Sequence, residues 1–252
     1  MKRALILSDI FPSAENPTHG TFVQKLADGF HDQGLEVRVI TPQPSAILHL
    51  IKGTKPSLAQ EDCRGILVHR PPVTTFSKRR LPFIGSTFPW SVQSWKGSAL
   101  RELSRIERQG FRPDFCYAHF LYPAGAGALE VGRRLSIPTF VGIGEANNSL
   151  LDYSWLIGVE QVSRDLNEFR GTISVSAQNE DSCRSTFGMK TNCLVAPNGV
   201  NLDLFLNLDK TTTRRSLGLN QSDFIVAFVG SFIHRKGPSR ALEAIRNARC
   251  KG

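Results

Sequence analysis

The sequence predicts an α/β fold built on a parallel sheet with helical crossovers. Short apolar runs of strand length recur along the chain, amphipathic stretches of helical period separate them, and turn-forming residues stand at the junctions. With 252 residues, 40% of them hydrophobic and 21% charged, the chain can bury a core and lacks a disordered composition. That length allows one large domain or two small ones.

Arg3 to Ser8 reads as the first strand, followed by a loop from Asp9 to Thr21 that contains Pro12, Asn16, Pro17 and Gly20. Val23, Leu26, Ala27 and Phe30 then recur at helical spacing until Gly34, a residue suited to ending a helix. Val37 to Thr41 completes a βαβ unit. From Pro42 to Trp90, Pro42, Pro44, Pro56, Pro71, Pro72 and Pro82 predict loops and short edge pieces, with Ile66 to His69 as a strand. Val92, Trp95, Ala99, Leu103 and Ile106 form a helical stripe.

Strands are expected at Phe115 to His119, Thr139 to Ile143, Thr172 to Ser176 and Cys193 to Ala196. Helices are expected at Ala124 to Leu135, Trp155 to Phe169 and Ala177 to Phe187. The pattern breaks at Pro197-Asn198-Gly199-Val200, which divides the chain into a domain over 1–196 and a second segment over 197–252. In that segment Phe224 to Val229 reads as a strand, Gly230 to Gly237 as a basic loop and Ser239 to Arg249 as a helix. A lone βα unit cannot bury its apolar faces, so the segment reads as the start of a truncated domain.

Lys plus Arg number 31 against 22 Asp plus Glu, a net charge of +9. From Cys63 to Arg101 there is no acid, and Arg64, Arg70, Lys78, Arg79, Arg80, Lys96 and Arg101 supply seven of those charges. Bases interleave there with Phe76, Phe83, Phe88, Trp90 and Trp95, as in segments that lie at membrane interfaces or grip single-stranded nucleic acid. A solvated basic face over core aromatics accounts for the same composition. Five cysteines, odd in number and without C-x-x-C spacing, argue against a disulfide framework or zinc site and for a reducing compartment. The apolar run after Lys2-Arg3 is too short for a signal peptide, and no stretch reaches the ~18 apolar residues of a membrane span. The expected location is the cytoplasm, with any membrane association peripheral.

Four segments, in order, carry a resemblance: S-D-I-F-P…N-P-T-H-G-T-F-V (8–23), D-F-C-Y-A-H-F-L-Y-P-A-G (114–125), P-N-G-V-N-L-D-L-F (197–205) and F-V-G-S-F-I-H-R-K-G (228–237). The chain resembles the retaining glycosyltransferases of family 4 (group 1), whose GT-B architecture sets two Rossmann-like domains across a cleft. The resemblance implies a Rossmann-like first domain followed by an incomplete second one, the donor-binding domain. It implies hexosyl transfer from a nucleotide-diphosphate sugar to a saccharide or lipid-linked acceptor in polysaccharide synthesis. The family's paired-glutamate motif, which contacts the donor, has no counterpart before Gly252, and the resemblance therefore implies impaired catalysis by this chain.

Gly20 and Thr21 stand in the first βα loop, where a helix N-terminus exposes N–H groups to an anion, or where glycine merely permits a turn. His119 ends a strand on the side of the cleft; it can bond a sugar hydroxyl or be satisfied by nearby backbone. The resemblance puts it beside the reaction centre. Glu145, in Gly144-Glu145-Ala146-Asn147, departs from the histidine-bearing family sequence at this point and can hold acceptor hydroxyls or cap the next helix. Arg235 and Lys236 precede a helix; the resemblance assigns them to the donor diphosphate, and a solvated basic turn is the plain alternative. Relatives often carry Arg where this chain has Ser231. No metal or other cofactor is expected, because no D-x-D motif is present. A second hypothesis is a non-catalytic module that uses residues 63–101 to bind anionic membrane or nucleic acid. No nucleic-acid motif supports the latter, and no nucleic-acid partner is expected.

Overall fold

Alternation along the first strand explains why the sheet is covered on both faces. In the computed structural model, which describes all residues except 77–79, 83–84, 146, 201, 204, 231 and 250–252, β1 spans Arg3–Ser8. Ala4 and Ile6 point to one core cluster and Leu5 and Leu7 to the other. Ile6, Leu5 and Leu7 are fully buried, each contributing about 1.5–3 kcal/mol.

The chain continues through α1 (Thr21–Asp32), β2 (Glu36–Ile40), β3 (Gln43–Pro44), α2 (Ala46–Lys52), β4 (Gln60–Cys63), β5 (Ile66–His69) and β6 (Pro72–Val73). After a small hairpin, β7 (Arg80–Leu81) with β8 (Gly85–Ser86), come α3 (Phe88–Arg108) and β9 (Phe115–His119). A π-helical turn (Leu121–Gly125) leads into α4 (Ala126–Leu135) and β10 (Thr139–Ile143). Then follow α5 (Asn147–Leu156), α6 (Val159–Glu168), β11 (Gly171–Ser174), α7 (Ala177–Phe187) and β12 (Cys193–Val195).

The eight-stranded sheet has the order β12-β11-β10-β9-β1-β2-β5-β4. Every pair is parallel except β4 with β5, so the expected parallel α/β fold is observed. Because β1 and β9 are central neighbours, with Ser8 opposite His119, both strands end at one edge of the sheet. On one face α1 lays Val23 and Ala27 against Ile6 and Val39. On the other, the stripe of Val92, Trp95, Ala99, Leu103 and Ile106 packs α3 onto the sheet and α4. Gly127 brings α4 close enough that a Cβ there would stand 2.2 Å from the Trp95 ring.

Three expectations change. The helix expected over Trp155 to Phe169 is two helices, divided at Gly158, whose φ of 102° interrupts the helical backbone. The acid-free segment is not one basic face among the described residues: Arg70 is buried, donating to Pro12 O and pairing with Glu61, while Lys96 pairs with Glu130 and Arg64 approaches Asp28. Folding brings carboxylates from elsewhere to those bases. Lys78 and Arg79 lie outside the described residues, as does the side chain of Arg80.

The chain divides into two compact units, Met1–Asn198 and Gly199–Gly252. The second holds α8 (Lys210–Ser216), a 3₁₀ turn (His234–Lys236) and α9 (Pro238–Arg249). Phe224 to Val229 forms no strand, contrary to its apolar pattern. A strand needs a partner for its N–H and C=O groups, and among the described residues none pairs with it; Phe224 and Val229 stay 94% and 96% exposed.

Candidate functional site

The edge where β1, β9 and β10 end gathers four of the six expected site residues. The loop after β1 is held by Ser8, whose hydroxyl donates to Ile10 O at 2.7 Å, and it re-enters at Gly20, φ 80°. A Cβ on Gly20 would lie 2.9 Å from the Ile10 carbonyl carbon, so the space beside this glycine is filled by the protein's own backbone. Glycine here permits a turn and a close backbone crossing. Gly20→Ala is expected to lower stability by about 2 kcal/mol, read as a shift in urea midpoint, because it combines a left-handed φ with a backbone clash.

Thr21 is exposed at the start of α1, a helix with no side-chain cap and no acid in its first turn. The following residue, Phe22, sets its ring 5.0 Å from that of His119, which places the α1 N-terminus against the histidine.

His119 is 5% exposed, between Phe22 and Phe120. Burial pushes its pKa down to about 4, so the ring is neutral at pH 7. Tyr117 Oη lies 3.0 Å from His119 Nδ1. Burial raises the Tyr117 pKa, so the phenol keeps its proton, and donating it to Nδ1 spares a buried hydroxyl from going unpaired. The imidazole proton then stands on Nε2. That nitrogen neighbours Gly144, whose Cβ position would be 3.7 Å away.

Glu145 follows directly and is 6% exposed. Its Oε1 accepts the Leu121 N–H at 2.6 Å; Oε2 is buried with no hydrogen-bond partner. Burial, with a smaller contribution from Asp9, pushes its pKa up to about 7. Near neutrality this carboxyl exchanges a proton and can give or take a hydrogen bond. The link to Leu121 depends on Phe120, which has φ 75° and ψ 147°, a backbone region normally reserved for glycine. Such strain of about 1–3 kcal/mol concentrates at functional sites.

Sequence reasoning overlooked the supports of these two residues. Tyr117 stands two positions before His119 on one strand, and the period of two puts both on one side. Gly142 makes room for the Tyr117 hydroxyl, which would lie 2.0 Å from a Cβ there. Asn179 donates through Nδ2 to Glu145 O at 2.9 Å, while its N–H is capped by Ser176 Oγ. The Ser176-x-x-Asn179 spacing of an N-cap was the available signal.

Arg235 and Lys236 belong to the second unit. They lie in the 3₁₀ turn before Gly237, φ 75°, and α9. Lys236 is exposed, and the side chain of Arg235 lies outside the described residues. Among the described residues no group of three His, Cys, Asp or Glu could hold a metal ion.

The model of Glycosyltransferase Family 4 matches residues 19–204. No curated protein matches the sequence. Sucrose-phosphate synthase from Thermosynechococcus elongatus is similar in structure, with a TM-score of 0.52 and 12% identity over 86% of this chain and 99% of that one. Arabidopsis thaliana UGT89C1 complexed with UDP has a TM-score of 0.52 and 13% identity over 91% of this chain. The catalytic domain of Starch Synthase IV from Arabidopsis thaliana, bound to ADP and acarbose, has a TM-score of 0.51 and 14% identity over 96% of this chain. This chain spans 58% and 66% of the lengths of the latter two. At these identities the likeness is one of fold.

Proposed function

The chain belongs to Glycosyltransferase Family 4 and has the Rossmann-like α/β fold of GT-B glycosyltransferases, and from that premise we propose that it serves hexosyl transfer, with retention of configuration, from a nucleotide-diphosphate sugar to a saccharide or lipid-linked acceptor in polysaccharide synthesis. The observation that carries this reading is the convergence of a neutral His119 and a proton-exchanging Glu145 beside an uncapped helix N-terminus. Structures of similar fold carrying UDP or ADP support a nucleotide-linked donor.

In this reading unit 1 is the acceptor side. His119 Nε2–H holds an acceptor oxygen, Glu145 Oε2 takes or shares the hydroxyl proton, and Thr21 with the α1 N-terminus faces the anionic part of the donor. Arg235 and Lys236 stabilise charge on the departing diphosphate. No metal or other cofactor is needed, and the work is done in the cytoplasm at the inner face of the membrane.

The test offers labelled UDP-glucose, UDP-galactose, GDP-mannose and ADP-glucose, with an oligosaccharide or lipid-extract acceptor, to this chain and to a longer form carrying a full donor-side domain. Transfer by at least one form, giving a product with the donor's anomeric configuration, is expected. Neither binding nor turnover of any donor by either form contradicts the proposal.

A further inference from the structure

A cavity of about 770 Å³ opens between α3, α4 and α6, within the roughly 300–1,000 Å³ of small-molecule sites. None of the residues lining it belongs to the site at the strand ends. Two of its buried lining residues are polar: Tyr122 and Asp165 are 4% and 6% exposed, and the Tyr122 hydroxyl donates to Asp165 Oδ2. Val92, Leu129 and Ile157 make apolar walls. Past Ile157 and Gly158 a further recess continues to Trp155, which is 56% exposed.

Each cation lining the cavity has an anion beside it. Lys96 Nζ lies 3.1 Å from Glu130, Arg133 is bonded to Glu168 at 2.5 Å, and Arg164 stands 3.8 Å from Glu160. No excess positive charge is left to draw a phosphate, and the Asp165 carboxylate opposes one. What remains is hydrogen-bonding capacity. Asp165 accepts from Tyr122 on one oxygen and from Gln161 Nε2, at 2.8 Å, on the other, and a carboxylate offers about four acceptor positions. Arg164 gives Nη2 to the Gln161 carbonyl at 3.0 Å and brings guanidinium N–H donors to the same space.

This mixture of acceptors, donors and apolar walls selects an occupant. A sugar hydroxyl both donates and accepts, and a pyranose ring adds C–H faces that lie against aliphatic walls and an indole. An acyl chain would leave Tyr122 and Asp165 against hydrocarbon, at a cost in unmet polar groups. A neutral saccharide satisfies the whole lining. The cavity is also one residue from the site: Tyr122 O accepts from Tyr153 Oη at 3.2 Å, and the preceding Leu121 gives its N–H to Glu145.

We propose that this cavity is a second carbohydrate site, which takes a neutral oligosaccharide on Tyr122, Asp165, Gln161 and Arg164 and stacks it on Trp155. This goes beyond the transferase reading. It concerns a cavity apart from His119 and Glu145 and is measured with no nucleotide sugar present, so either can fail without the other.

The test follows the Trp155 indole and Gln161 side-chain amide signals of the full chain by NMR as maltotetraose, cellotetraose or mannotetraose is added. Saturable shifts with at least one of the three are expected. Affinity should fall about tenfold for Gln161→Ala/Arg164→Ala and for Trp155→Ala, each variant being read through the other residue's signal. All three side chains are exposed, so melting curves close to the parent's are expected. Gln93→Trp, made at an exposed wall position, narrows the cavity and should weaken binding independently. Unmoved signals with all three sugars overturn the proposal, as does undiminished affinity in the variants or a response to inorganic pyrophosphate in place of the sugars. Sugar shifts confined to His119 would place the saccharide at the strand ends, overturning this proposal and leaving the transferase reading intact.

Discussion

Glu145→Gln is expected to make the protein more stable than the parent above pH 7, by up to about 3 kcal/mol, and to leave it unchanged near pH 4. Burial pushes the Glu145 pKa up to about 7 in the fold, from the ordinary carboxylate value of 4.5. The folded state therefore holds this proton more tightly than the unfolded chain. Stability from that hold is complete below pH 4.5 and is lost as pH rises through 7.

His119 works in the opposite direction. Its pKa falls from 6.5 to about 4, so its contribution is complete above pH 6.5 and is lost as pH falls through 4. Across pH 4.5–6.5 the two slopes oppose each other, and the parent's stability is expected to change little there on their account. Glutamine keeps an acceptor for the Leu121 N–H but has no proton to lose, so the variant exposes the rising slope of His119 alone. Urea midpoints of the two proteins at pH 4 and pH 8 check this; a difference independent of pH would show that the Glu145 carboxyl is not held neutral by burial.

Gly142→Ala is the second large effect. A methyl group there would sit 2.0 Å from Tyr117 Oη, 3.0 Å from its ring carbon Cζ and 3.4 Å from His119 Nδ1. Tyr117 is buried in the cluster beneath α1 and cannot swing into solvent, so the sheet or the ring must move. Overpacking of this kind costs about 1–3 kcal/mol, and breaking the Tyr117–His119 bond leaves a buried hydroxyl unpaired for about another 1–3 kcal/mol. Loss of stability should coincide with a change in the His119 imidazole nitrogen shifts in NMR spectra. Gly142→Ala with unaltered His119 resonances would contradict the positioning of His119 by Tyr117. Tyr117→Phe with Gly142 retained separates the two causes, since it removes the hydroxyl bonded to His119 without adding a methyl group.

Strands buried on both faces announce themselves as unbroken apolar runs, which is why β1, β2, β9 and β10 were legible in the sequence, and the helices between them implied a parallel sheet. The region between Pro42 and Trp90 was less so, because its two-residue strands are set by hydrogen bonds such as Ser45 N–H to Val73 O that leave no periodic trace. Phe224 to Val229 shows the converse: apolar pattern marks a capacity to form a strand, and pairing decides whether one exists. In the site, His119 and Glu145 could be named from their places at strand ends. What tunes them could not, since both pKa shifts come from burial, to which Asp9, a residue far off in sequence, adds a smaller contribution at Glu145. The basic segment was overread for the same reason, with Arg70 folded inward onto Glu61 and Pro12. Its composition was correct, but composition does not reveal which bases meet an acid.

The account rests on unit 1 supplying an acceptor side built on a neutral His119. The most direct measurement is kcat/KM for label transfer by the parent and by His119→Ala in whichever form of the protein transfers. The imidazole touches an acceptor oxygen in this account, so a fall of about 10²-fold or more is expected under conditions where both proteins are folded, the variant's unfolding midpoint being lower because a buried ring is lost and the Tyr117 hydroxyl is left unpaired. Equal transfer by the folded variant would contradict it.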